Sequence, residues 1–71
     1  MFEYRPIEET ATDQYIGTFP TYGLELYRDG KLLQVEHDVT TDRCLAEHIA
    51  ELCTSEQVEP VHIRDVIYNL I

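Results

Sequence analysis

The chain has 71 residues, room for one small domain with one core. Fourteen Asp and Glu against five Lys and Arg give a formal charge of −9, which opposes direct binding to nucleic-acid phosphates or to an anionic membrane surface. A hydrophobic fraction of 44% belongs to a folded globular domain rather than to a disordered segment, and no run approaches the ~18 apolar residues of a membrane-spanning helix.

From the start of the chain, residues 2–7 and 14–19 are short β-prone runs separated by the polar stretch 8–13, which suits a loop. Each is expected to add a strand. Pro6 cannot donate to a ladder and marks an edge, while Pro20 holds Phe19 extended. The clearest local signal is Asp29-Gly30, a dipeptide that tolerates positive φ at both centres of a tight hairpin turn. Residues 22–28 and 31–37 then pair, with Arg28 opposite Lys31, Tyr27 opposite Leu32, Leu26 opposite Leu33, Leu24 opposite Val35 and Tyr22 opposite His37. That register puts Tyr22, Leu24, Leu26, Leu33 and Val35 on the core face, and leaves Tyr27 and Leu32 outside.

After His37 the hydrophobic period changes from two to about 3.6. Asp38, Thr40 and Thr41 are candidate caps for a helix over residues 42–54, with Asp42 in its first turn, where a carboxylate complements the helix dipole. Leu45, Ala46, Ile49, Ala50, Leu52 and Cys53 form its apolar arc. A second helix should begin at Pro60, with Ile63, Val66, Ile67, Leu70 and Ile71 as its stripe, antiparallel to the first across a short linker that Val58 packs. The expected architecture is a single α+β domain over residues 1–71. A small antiparallel sheet of two to four strands, centred on the 22–37 hairpin, packs on two C-terminal antiparallel helices in the order β, β, β, β, α, α. Its expected core is Leu24, Leu26, Leu33, Val35, Leu45, Ile49, Leu52, Ile63, Val66, Ile67 and Leu70.

Cys44, His48 and Cys53 are near neighbours and carry zinc-type ligand atoms, but Cys53 lies on the opposite side of the helix from Cys44. His37 and His62 belong to other elements. Nine helical steps span ~13.5 Å, too far for a disulfide between the cysteines. No metal and no cofactor are expected. A Cys44–His48 pair on an open helix face lacks a pocket and an oxyanion site, and there is no glycine-rich phosphate loop, so no enzymatic activity is expected either. The first residues lack the basic start and apolar run of a secretory signal, and two cysteines suit a reducing compartment, which together point to the cytoplasm.

The residues 21–27 (TYGLELY), 38–42 (DVTTD), 51–53 (ELC) and 58–67 (VEPVHIRDVI) resemble a bacterial family of small proteins of unknown function. That family has a recurring YG-x-E strand, an acidic cap and a closing P-x-H-x-x-D-V-I helix. The resemblance covers residues 21–71, implies a bacterial or phage origin and a small α+β fold, and brings no activity with it.

Function therefore rests on the acidic surface. It is either a solvated surface or complementarity to a basic protein, and the leading expectation is a small regulator or inhibitor that engages a basic partner. Asp38, Asp42, Glu47 and Glu51 are the expected acidic contacts, with Tyr27, Leu32 and Tyr68 as apolar anchors. A phage-type nucleic-acid mimic that blocks a nucleic-acid enzyme such as a CRISPR nuclease, and a structural homo-oligomer, are the competing readings. A homodimer is in keeping with the small core.

Overall fold

The computed structural model describes all 71 residues. Three strands, β1 (Phe2–Asp13), β2 (Gly17–Arg28) and β3 (Lys31–Thr40), are followed by α1 (Arg43–Ser55), a 3-10 turn at Pro60–His62 and α2 (Ile63–Leu70). The strands form an antiparallel meander in the order β1-β2-β3. The α+β class and the helices after the sheet are as expected, but the first two short strands are merged into longer ones. The polar stretch 8–13 is strand, because Glu8 to Asp13 pair residue for residue with Tyr22 to Gly17. Gln14, Tyr15 and Ile16 form the turn instead. Asp13 Oδ1 accepts from the amides of Tyr15 (2.7 Å) and Ile16 (3.1 Å), and Gly17 takes up the left-handed conformation that closes a three-residue hairpin loop.

Pro6 lies opposite Leu24, in the same alternation as Phe2 and Tyr4, whose backbone groups point away from β2. Its missing donor therefore falls on the free edge. Pro20, opposite Thr10, sits just beyond the last β2–β3 pair, Tyr22 with Thr40. A residue without an N–H is harmless there, since no third strand continues.

Asp29 and Gly30 both have positive φ (49° and 84°), as a type I′ turn requires. Arg28 pairs with Lys31 and Tyr27 with Leu32 as the turn dictates. The register then slips: Leu26 pairs with Gln34, Glu25 with Val35 and Leu24 with Glu36. Leu33 is the bulged residue and is 49% exposed rather than core, and Val35 moves to the outer face beside Glu25, half-buried. Two bulges in one short strand are typical of a sheet edge.

The core is built from Tyr4, Leu24 and Leu26 on the sheet, Ile49, Ala50 and Cys53 on α1, and Ile63 at the start of α2. Full burial of Leu24, Leu26, Ile49 and Ile63 contributes about 1.5–3 kcal/mol each. Leu45, Val58, Val66, Ile67 and Leu70 are half-buried around this centre, whereas Ile71 is exposed. Tyr4 was absent from the expected core. Its hydroxyl donates to the Val58 carbonyl at 2.5 Å, and burial pushes the phenol up to about 12.

Asp42 caps α1 from outside, its Oδ1 accepting from the Leu45 amide at 3.3 Å, so the helix begins at Arg43. At the other end Gln57 (φ 51°) takes the left-handed position, and the Val58 and Gln57 amides donate to the Cys53 and Thr54 carbonyls, a Schellman closure. Glycine usually stands there. Gln57 offsets the strain with its side chain, which accepts from Phe2 N at 2.8 Å and donates to Phe2 O at 2.9 Å. Thr54 does the same for Tyr4 (2.9 and 3.4 Å). Together they satisfy the free edge of β1 at Phe2 and Tyr4 as a neighbouring strand would.

Candidate interaction surfaces

The most organised polar group lies on the sheet face away from the helices. Glu9 on β1 reaches across Gly23 of β2 to β3, where its two carboxylate oxygens meet His37 Nδ1 (2.6 Å) and the Asp38 amide (3.1 Å). Only glycine permits this, because a Cβ at position 23 would collide with the Glu36 carbonyl and lie 2.7 Å from Glu9 Oε1. Between Glu36 and Thr40 the β3 chain makes an excursion opposite the single residue Gly23, with Asp38 at φ 50°. Asp38 Oδ1 accepts from Thr21 Oγ1 at 2.6 Å, which leaves Thr21 only 2% exposed on a face no helix covers. The hydrogen bond to His37, followed by that from the Asp38 amide, holds the Glu9 carboxyl below its usual range. The same contact raises His37.

This staple marks where the sheet changes character. Beyond it five pairs, from Glu9 with Thr21 to Asp13 with Gly17, have no third strand. The helix-side residues of this segment, Thr10, Thr12, Thr18 and Pro20, are exposed. The result is a two-stranded arm of roughly 16 Å at 3.3 Å per residue on a molecule measuring 41 × 24 × 19 Å. Tyr15 and Ile16 at its tip are 86% and 76% exposed. The sequence reading placed both in a strand and missed them; Asp13 followed four residues later by Gly17 was the available turn signal.

The seven expected site residues fall in separate places. Asp38 and Tyr68 line a groove of about 550 Å³ between β3 and α2, with Glu36, Val39, Arg64 and Ile67. Glu47 and Glu51 border another of about 660 Å³ between β1 and α1, with Glu3 and Ala50. Tyr27 and Leu32 are cross-strand partners near the Asp29-Gly30 turn, where the Arg5 guanidinium stacks 4.3 Å over the Tyr27 ring. Asp42 is engaged as the α1 cap. Glu47 accepts from Arg43 at 3.0 Å, which neutralises part of the α1 face. No three His, Cys, Asp or Glu side chains converge in a geometry that could hold a metal ion. Cys44 is exposed, and Cys53 is buried with its thiol pushed up by desolvation. No helix is long and apolar enough to cross a membrane.

Fold and surface together define a small α+β domain, a three-stranded meander carrying two C-terminal helices on one face. A model of DUF6514, a family of unknown function, matches residues 1–71, and the chain belongs to that family. The match takes in residues 1–20, which the sequence resemblance did not reach. No curated protein and no solved structure matches the chain.

Proposed function

We propose that the protein is a small, non-enzymatic binding module that regulates or inhibits a basic protein partner, in keeping with a cytoplasmic location. One observation carries this reading. Three of the five basic side chains are held by local acids, Arg5 by Glu3, Arg43 by Glu47 and Arg64 by Glu36, while none of the fourteen acidic residues is buried. The solvent therefore meets a surface of uncompensated carboxylates. Such a field steers a positively charged partner and speeds encounter more than it strengthens the final contact. Carboxylates border both grooves, Glu36 and Asp38 in one and Glu3, Glu47 and Glu51 in the other, which supports a basic partner.

The test is affinity capture on the immobilised chain from its native cell, eluted by a salt gradient. A basic protein that is released between ~50 and ~500 mM salt supports the reading. Retention that salt does not weaken, or none beyond a column of charge-matched acidic protein, removes it. Once a partner is in hand, Glu47→Lys with Glu51→Lys should slow association while the fold stays intact, because both side chains are exposed.

Self-association is a second reading, favoured by Leu32 and Leu33, adjacent on the edge strand and about half exposed. Sedimentation equilibrium at micromolar concentration decides it, a monomer mass counting against the dimer.

A further inference from the structure

We propose that the projecting β1–β2 arm is the docking element, and that Tyr15 and Ile16 at its tip seat in an apolar socket rimmed by basic side chains on the partner protein. The inference rests on the binding-module reading and adds to it the surface that makes contact. Two large apolar side chains more than three-quarters exposed, adjacent on one loop, are unlike the singly scattered apolar residues of an ordinary surface. Tyrosine is a frequent anchor because it brings apolar area and a hydroxyl at little cost in side-chain entropy. The Asp13 carboxylate fixes the tip backbone and the Glu9, His37, Asp38 and Thr21 staple fixes the base of the arm. The anchors are thus presented already ordered, which lowers the entropy lost on binding.

Charge selects the kind of partner. The arm from Glu9 to Thr21 has no Lys, Arg or His and carries Glu9 and Asp13, with Glu8 adjoining it. Arg5, Arg28 and Lys31 are gathered instead at the Asp29-Gly30 end of the sheet. The chain is polarised along β2, and a basic surface would draw the arm in first. A nucleic acid or an anionic membrane would repel it.

The test places a photoreactive benzoylphenylalanine at position 15 of the full chain, with separate labels at positions 51 and 68 as comparisons. Irradiation in the native cell is followed by mass spectrometry of the adducts. The expected result is an adduct between position 15 and a basic protein. Tyr15→Ser with Ile16→Ser should then weaken that purified protein's binding roughly tenfold or more, with an unchanged unfolding midpoint because both side chains are exposed. Adducts at position 51 or 68 without one at 15 overturn the arm and leave the binding module standing. An adduct of position 15 with a second copy of the chain, or unchanged affinity in the double variant, also overturns the arm. No adduct at any position overturns both.

Discussion

The two hairpins of the sheet share β2 and differ in almost everything else. The β2–β3 hairpin has the strongest turn dipeptide in the chain, Asp29-Gly30, yet keeps the register of that turn for only two pairs before Leu33 bulges out. The β1–β2 hairpin turns on Gln14, Tyr15 and Ile16, which lack any such dipeptide, yet runs twelve pairs without a slip. A tight turn therefore sets register locally and does not dictate the pairing beyond the first bulge. Here the bulge leaves Leu24 and Leu26 in the core, sends Val35 to the outer face and puts Gln34 and Glu36 at the rim, where Arg64 from α2 meets Glu36 at 3.6 Å.

Leucine truncation breaks this comparison most sharply, because Leu26 and Leu33 would be equivalent partners in an unbulged hairpin. Leu26→Ala should cost about 2–5 kcal/mol by urea unfolding, and Leu33→Ala no more than about 0.5 kcal/mol. Equal losses would mean the register has no bulge. Next in size is Gly23→Ala, which forces a Cβ against the Glu36 carbonyl and should cost about 1–3 kcal/mol through overpacking. It should also release the Glu9 contacts with His37 and Asp38, visible as faster exchange of the Asp38 amide.

On the β1 side, Gln57→Ala removes the two bonds to Phe2 and leaves a non-glycine residue at positive φ, for a loss of about 1–2 kcal/mol. Gln57→Gly loses the same bonds but relieves the backbone, so it should be the milder change. The reverse order would show that backbone strain at position 57 carries no weight against the chain entropy that glycine adds. The smallest effect is the pH dependence of the staple. His37 is raised by Glu9, so its contribution is complete below its unfolded value near 6.5 and fades as pH rises through the higher folded value. Glu9 is lowered, so its contribution is complete above about 4.5 and fades as acid reaches its lower folded value. The link is thus strongest between these two pH values. In Glu9→Gln the His37 imidazole should titrate near its ordinary value by NMR, and an unshifted curve would show that the contact is absent in solution.

What was legible follows the same division. The period change near Asp38, a helical segment opening at Pro60 and the buried arc of α1 all depend on neighbours within one turn of chain, so sequence spacing reports them. The cap, by contrast, falls on Asp42 rather than on Asp38, Thr40 or Thr41, and the Pro60 segment starts as a 3-10 turn before α2 at Ile63. Leu33, Tyr4, Gly23 and Gln57 owe their roles to residues far along the chain. Nothing beside Gly23 in sequence announces that Glu9 must cross it, and Gln57 reads as an ordinary linker residue until Phe2 is placed against it. The same holds for the surface. Exposure of Glu47, Glu51 and Tyr68 was readable from helix phase, whereas Asp38, expected as a helix cap, lies within β3, and the distribution of these residues over different grooves and the projection of the arm depend on where β3 ends.

The bonds from Gln57 and Thr54 to Phe2 and Tyr4 join residues 50 and 55 positions apart. By loop-closure entropy a connection of that length costs roughly 3–4 kcal/mol before it returns any interaction. At ribosomal speeds of ~5–20 residues per second, roughly 3–11 s pass between the emergence of β1 and of the side chains that close its edge. Through that interval the strand has unpaired amides and carbonyls facing outward, with Pro6 and Glu8 the local deterrents to pairing with another chain. The end of α1 thus decides how long the nascent chain is open to misassembly, and variants at Thr54 or Gln57 should lower soluble yield by more than their effect on equilibrium stability accounts for.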